Sequence, residues 1–150
     1  MYNSNMIKVN IVCIGKIKES YLREAIAEYS KRLSRFCRLE IKELAEGKNL
    51  KEEAPLVLKA CSGYKIALCV EGKKYSSEQL ASTVKTLCDG GKEITFIIGS
   101  SYGLDDSVKC QADLKLSFSD MTFPHQLMRV ILLEQVYRAF MINGGSEYHK

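Results

Sequence analysis

The stretch that decides the fold is LSFSDMTFPHQLMRVILLEQVYRAF, residues 116–140. It begins as a short strand, passes through a loop of serines, phenylalanines and a methionine, and continues as a helix that is apolar on nearly every side. Such a helix is buried against more than one neighbour, and the second neighbour is predicted to be another copy of the chain. Glu134 and Arg138 are spaced i,i+4 and can pair. Its arginines, Arg129 and Arg138, either form buried ion pairs or hold RNA phosphates.

Upstream of this stretch, strand-like and helix-like patterns alternate. The predicted strands are Lys8–Ile14, Leu39–Leu44, Lys65–Val70, Glu93–Ile98 and Leu114–Phe118. Five helices are predicted. The first follows an N-cap at Ser20, the second covers Glu52–Ala60 with Pro55 in its first turn, and the third opens on a capping box formed by Ser76 and Gln79. The fourth covers Asp105–Ala112, and the fifth runs from Phe123 to Met141 after an N-cap at Thr122. This alternation predicts an α/β fold in which residues 1–150 form a single domain, a parallel sheet with helices on both faces.

Composition excludes some classes of protein. The chain has 150 residues and a net charge of +4, which permits a polyanionic partner without demonstrating one. It has no apolar run of about 18 residues and no signal peptide in MYNSNMIKVN, so we expect a cytoplasmic protein without a membrane span. The six cysteines form no CxxC pair and lie far from both histidines in sequence, so we expect free thiols and no metal site.

Three turns after predicted strands are candidates for ligand contacts, because open α/β sheets bind ligands at the carboxyl ends of their strands. They are Glu71–Lys73, Gly99–Gly103 and Ser117–Phe123. The second turn is not a phosphate-binding motif, and it is either a plain turn or a close approach to a flat ligand. The third is either a capped loop or a site whose backbone groups bind an adenine edge while its aromatic side chains enclose the ring.

The C-terminal tail combines an aromatic ring, an imidazole and a cation in Tyr148, His149 and Lys150. RNA recognition favours this mixture, because unstacked bases stack on aromatic rings and phosphates pair with cations. The alternative is a frayed chain end.

Together these segments resemble one known family. The quoted block 116–140 and the final YHK carry the resemblance most strongly, and VCIGKIKESYLREAIAEYSKRL (12–33), ALCVEGKKYSSEQLA (67–81) and ITFIIG (94–99) extend it over the chain. The sequence resembles the ribosomal RNA large subunit methyltransferase H family, which are small enzymes of the SPOUT class. The resemblance implies an α/β sheet whose C-terminal segment forms a trefoil knot, an exception among folds.

The resemblance also implies a function. Members of the family use S-adenosylmethionine to methylate N3 of a pseudouridine in 23S large-subunit rRNA, and they act as homodimers. The positions that match the family's donor site are Leu68, Gly99, Phe118, Ser119, Asp120, Met121, Thr122 and Phe123. We expect the substrate to be the rRNA within the ribosome.

The chemistry of the reaction suggests roles for four side chains. The imide N3 must lose a proton before it attacks, and His149 is the candidate base because an imidazole titrates near neutral pH. Tyr148 is predicted to stack on the target base or to hydrogen-bond it. Arg129 and Arg138 are predicted to hold phosphates or to stabilise the anion.

The chain departs from the family pattern at two places. Ser100 stands where the family has a second glycine, and its side chain either narrows the donor cleft or points away. Residues 144–147 (GGSE) leave the approach to Tyr148 freer than usual. If Ser100 abolished donor binding, the chain would be a non-catalytic, knotted RNA-binding or ribosome-binding domain. An unrelated α/β enzyme acting on a small molecule is the third reading.

Overall fold

The computed structural model describes residues 6–150, so part of the N-terminal segment read above for a signal peptide lies outside the described residues. Five strands form one sheet: β1 (Lys8–Ile14), β2 (Arg38–Leu44), β3 (Tyr64–Lys74), β4 (Ile94–Ile98) and β5 (Leu114–Ser117). Five helices join or follow them: α1 (Ser20–Leu33), α2 (Leu50–Ala60), α3 (Ser77–Asp89), α4 (Asp106–Gln111) and α5 (His125–Asn143). All neighbouring strands are parallel, in the order β2-β1-β4-β3-β5.

Helices cover both faces of this sheet, as the sequence predicted. On one face, the side chains of α1, α3 and α5 pack against Ile11 and Phe96. On the other, α2 and α4 pack against Val12 and Ile97. Residues 11 and 12 of β1 point to opposite faces because side chains alternate along a strand, so each strand contributes to both cores. The parallel α/β architecture is confirmed.

The start of α3 was predicted correctly, whereas that of α2 was not, although a side chain caps both helices. Ser76 and Gln79 form the expected capping box at α3. Asn49, which was not predicted as a cap, accepts from the backbone N–H of Glu52, so α2 begins earlier than predicted. Pro55 consequently lies inside α2 rather than in its first turn, where it leaves one helical acceptor without its usual donor.

Two other predicted caps were wrong. Ser20 is the first residue of α1, with Glu19 at the cap position, and no side chain caps that end. Thr122 lies too far from α5, which begins at His125 after Pro124 and likewise has no side-chain cap. Thr122 therefore does not cap α5, and the only role still predicted for it is the contact with the methyl donor that the family resemblance implies.

Strand β3 is longer than predicted. The apolar run ends at Val70, but the chain pairs again with β5 after a bulge: Leu68 and Lys73 both lie opposite Leu116. A Cβ atom built on Gly72 would lie 2.8 Å from backbone atoms of Leu116, closer than real side chains approach a backbone. Glycine is therefore required for this close passage. Local hydrophobicity could not show it, because the pairing partner is distant in sequence.

Helix α5 lies across the sheet between α1 and α3, and one buried arginine anchors it. Arg129 is only 2% exposed. Its guanidinium donates to the Glu43 carboxylate at 2.7 Å and to the carbonyl oxygens of Ile14 at 2.9 Å and Gly15 at 2.6 Å. Arg129 therefore ties α5 to the ends of β1 and β2. The RNA contact or anion stabilisation predicted for it does not fit this buried geometry.

The remaining predictions from the sequence concern disulfides, membrane spans and metal sites. All six cysteines lie within the described residues and are free thiols. Within residues 6–150, no helix is both long and apolar enough to span a membrane. The same part of the chain holds no group of three or more His, Cys, Asp or Glu residues arranged for a metal ion.

We predict that Arg129→Met costs roughly 3 kcal/mol of folding free energy, since it removes the ion pair with Glu43 and leaves the carbonyls of Ile14 and Gly15 without this donor. Arg129→Lys should rescue little of this loss, because an ammonium cannot span the three acceptors. Urea unfolding measures both variants. Arg138→Met is the control, and it should cost less than about 1 kcal/mol because the side chain of Arg138 is more exposed than that of Arg129. If the Arg129→Met protein had normal stability and lost only RNA binding, the prediction that Arg129 holds an RNA phosphate would be supported instead.

Candidate active site

The carboxyl ends of β3, β4 and β5 surround a cavity of about 600 Å³. Its wall includes seven of the eight residues predicted to bind the methyl donor: Leu68, Gly99, Phe118, Ser119, Met121, Thr122 and Phe123. Volumes of this size are typical of small-molecule sites. The three turns singled out in the sequence thus meet at one place.

The turn after β4 is so tight that it requires glycine. A Cβ atom on Gly99 would lie 2.2 Å from the carbonyl oxygen of Gly103, so any side chain there would displace the turn. The backbone N–H of Gly103 donates to the carbonyl of Ser100 at 2.9 Å, which closes the turn. Gly103 itself has a φ of +88°, a conformation that favours glycine.

Ser100 does not block this cavity. It is buried, and its hydroxyl oxygen accepts from the backbone N–H of Tyr102 at 3.3 Å. The side chain that replaces the family's second glycine therefore stabilises the turn itself. This removes the structural reason for considering the chain a domain that has lost its donor site.

The loop after β5 also organises itself through its hydroxyls. Ser117 donates to the carbonyl of Ser119 at 3.0 Å, and the Ser119 hydroxyl accepts from the N–H of Met121 at 3.0 Å. Phe118 and Phe123 are half-buried beside the cavity. These contacts leave two aromatic rings at the cavity wall, suited to enclosing a purine.

Asp120 is the exception among the eight predicted donor residues. Its carboxylate pairs with Lys74 at 2.5 Å, its side chain is 77% exposed, and it does not line the cavity. Its side chain therefore does not face the cavity, and the donor-site role of Asp120 stays a prediction. Asp120 instead ties the loop to the far end of β3.

From the sequence, the turns Glu71–Lys73 and Gly99–Gly103 were candidate ligand contacts, but Glu71 and Tyr102 were given no role, and Lys109 was missed. Tyr102 stands at the turn after β4 with 80% of its surface exposed, and an exposed aromatic residue in a glycine turn is a signal that could have been used. Glu71 and Lys109 also line the cavity. Lys109 lies in α4, and nothing in the sequence pattern places that helix beside the bulge in β3.

The C-terminal tail is docked rather than frayed. The Tyr148 hydroxyl donates to Glu134, and its ring lies 4.7 Å from the Arg138 guanidinium and edge-on to Tyr137. The hydrogen bond to Glu134, followed by burial, raises the pKa of Tyr148, so the phenol stays protonated at neutral pH. Glu134 also accepts from Arg138 at 3.1 Å, which confirms the predicted i,i+4 pair.

Both ring nitrogens of His149 are engaged. Nδ1 lies 3.0 Å from Arg138 Nη1, and Nε2 lies 2.6 Å from the carboxylate of Glu78 at the start of α3. A guanidinium can only donate, so Nδ1 accepts from Arg138 and Nε2–H donates to Glu78. The bond from His149 lowers the pKa of Glu78. In this arrangement the imidazole has no free lone pair with which to accept a proton.

The tail and the cavity lie at different positions along α5. Met128 lines the cavity, whereas His149 contacts Arg138. A helix rises about 1.5 Å per residue, so these two positions are roughly 15 Å apart along α5. The structure therefore groups Tyr148, His149 and Arg138 together, separately from the buried Arg129 and from the seven cavity-lining residues that were predicted to bind the donor.

We predict that Gly99→Ala weakens binding of S-adenosylhomocysteine roughly tenfold or more, because overpacking the turn costs about 1–3 kcal/mol. Calorimetric titration measures it, and circular dichroism checks the fold. Gly90→Ala is the matched control, since a Cβ there meets only ordinary contacts of 3.5 Å or more. Wild-type affinity in a folded Gly99→Ala protein would contradict the placement of the donor site.

Comparison with known proteins identifies the family. A model described as "Predicted SPOUT methyltransferase" matches residues 7–149. Relatives named ribosomal RNA large subunit methyltransferase H include one from Clostridium novyi at 50% identity and one from Bifidobacterium adolescentis at 49%; each match covers 96% of this chain and all of the relative. A methylase-family structure from Neisseria gonorrhoeae shares the fold, with a TM-score of 0.57 at 8% identity over 91% of this chain and 84% of that one. The chain belongs to the SPOUT methyltransferase family, whose members use S-adenosylmethionine as methyl donor.

Proposed function

We propose that this protein transfers a methyl group from S-adenosylmethionine to N3 of a pseudouridine in 23S rRNA, acting on the ribosome in the cytoplasm. The observation that carries the proposal is the convergence of seven predicted donor residues on one cavity at the strand ends. Relatives that match over their whole length are named as large-subunit rRNA methyltransferases, which supports the class of substrate. We treat residues 1–150 as one catalytic domain.

The described cavity suits this donor. At Gly99 in the cavity wall no side chain fits against the neighbouring backbone, and the half-buried rings of Phe118 and Phe123 flank the space. Such a wall can take a flat purine and contact its edge through backbone groups. When bound, the donor supplies a methyl group carried on a sulfonium sulfur, and breaking the bond between them needs no acid. The protein has to hold the reacting atoms in line.

Proton removal from the imide N3 is assigned to His149. In the described arrangement its Nδ1 accepts from Arg138, so the base is masked. A phosphate of the RNA that pairs with Arg138 would draw the guanidinium away and free Nδ1 for the proton. Glu78 would remain bonded to Nε2–H and would stabilise the imidazolium that forms. Tyr148 and Lys150 lie beside His149 in the tail and complete the RNA-facing group.

The proposal includes a homodimer that shares its active sites. Along α5, Leu127 is exposed, and Val130 and Ile131 are half-buried, which leaves an apolar strip near the cavity. A two-fold axis that pairs the two α5 helices antiparallel would bring the tail of one subunit toward the cavity of the other. This would close the separation of roughly 15 Å that exists along one helix.

The knot is part of the proposal as well. Its support is the close passage of β3 over β5 at Gly72, followed by the return of the chain through the 117–124 loop into α5, between α1 and α3. A C-terminal segment that re-enters the fold in this way matches the trefoil arrangement that the family resemblance implies.

Methylation of ribosomes tests the function. With tritiated S-adenosylmethionine, wild-type protein should label large-subunit rRNA of ribosomes that lack the modification, at pseudouridine N3. His149→Ala should slow single-turnover transfer by about a hundredfold or more, the contribution expected of a general base. S-adenosylhomocysteine binding should not change. Full activity of His149→Ala with an unaltered pH profile would refute the base assignment, and unlabelled rRNA with wild-type protein would refute the function.

Mixed dimers test whether sites are shared. One chain lacks residues 147–150 and keeps its donor site; the other carries Gly99→Ala and keeps its tail. With the donor kept well below the Kd of Gly99→Ala, we expect a mixed dimer to have one working site, formed by the intact cavity and the partner's intact tail, whereas each homodimer has almost no activity. Complete inactivity of the mixed dimer would place cavity and tail of each site in the same chain.

A further inference from the structure

Two opposite charges face each other at the wall of the donor cavity. Glu71 lies in the bulge of β3 and Lys109 in α4, and their charged groups are 2.5 Å apart. Besides this pair, the described lining residues include no Asp, Glu, Lys or Arg. The rest of the wall consists of apolar and aromatic side chains, hydroxyls, the Cys69 thiol, the His125 imidazole and backbone, so the pair is the one place in the described wall where two opposite charges lie side by side.

This ion pair contributes little to the stability of the fold. Glu71 is 57% exposed and Lys109 22% exposed, and ion pairs open to solvent are worth at most about 1 kcal/mol. The hydrogen bond from Lys109 lowers the pKa of Glu71 and raises that of Lys109, so both groups are charged at neutral pH. A ligand that carries a negative group for Lys109 and a positive group for Glu71 can therefore separate the two side chains at a small cost in free energy.

The methyl donor has two chemically different ends. Its nucleoside end is flat and suits the aromatic wall near Phe118 and Phe123. Its amino-acid end is zwitterionic, with a carboxylate and an ammonium on the same carbon. Placing those two charges in a cavity without ionic partners would cost desolvation energy. Opposite charges held side by side on the wall are the complement that such a zwitterion requires.

We infer that Glu71 and Lys109 form the subsite for the amino-acid end of the donor, with Lys109 binding the carboxylate and Glu71 the ammonium. The inference rests on the proposed donor site and assigns its polar end. Neither residue belongs to the set that the family motif implied.

The test compares two neutral nucleosides that differ only at this end. S-adenosylhomocysteine carries the amino-acid group, and 5′-methylthioadenosine lacks it. Calorimetric titration of the full-length protein should show that the wild type prefers S-adenosylhomocysteine. Lys109→Met should weaken its binding about tenfold, the size expected for losing a hydrogen bond to a charged group. Glu71→Gln should weaken it less. Binding of 5′-methylthioadenosine should stay within about twofold of wild type in both variants.

Lys85→Met is the matched control, since Lys85 pairs with Asp89 on the exposed surface of α3, away from the cavity wall. It should change neither affinity. Equal effects of Lys109→Met on both nucleosides, or no effect on either, would overturn the subsite. A wild type that binds both nucleosides equally would overturn it as well, while leaving the donor cavity in place. A wild type that binds neither would remove the donor site itself.

Discussion

The close passage of the backbone at Gly72 against the backbone at Leu116 is the constraint on which the rest of this structure depends. It lets β3 leave its pairing with β5, bulge outward over residues 69–72, and return to the same strand at Lys73. That bulge forms one wall of the cavity, and the loop after β5 forms another. Without glycine at this point the two strands could not approach, and the donor cavity would not have its shape.

Helix α5 links the cavity to the C-terminal tail. Arg129 fixes its first turns to the ends of β1 and β2, which places Met128 at the cavity. Six and ten residues after Met128, respectively, Glu134 and Arg138 hold the tail through Tyr148 and His149. The same helix therefore connects the cavity wall to the docked tail, and it carries the apolar strip of Leu127, Val130 and Ile131 that we propose as the contact with a second subunit.

Much of the fold could be predicted from the sequence, because short buried strands and amphipathic helices alternate with clear periods, and because the capping box at Ser76 is a local signal. Features that depend on distant partners could not. The continuation of β3 past Val70 depends on β5, the burial of Arg129 depends on carbonyls at the end of β1, and the pair Glu71–Lys109 depends on how α4 packs. The candidate donor residues were predicted through resemblance to a family, and the structure then showed which of them share a cavity and that the side chain of Asp120 does not line it.

The central claim is that the methyl donor binds at the carboxyl ends of β3, β4 and β5. The most direct measurement is a crystal structure of the protein with S-adenosylhomocysteine. The account predicts adenosine density between the Gly99 turn and the rings of Phe118 and Phe123, with the amino-acid end directed at Glu71 and Lys109. Ligand density at any other place, with this cavity filled only by solvent, would contradict it.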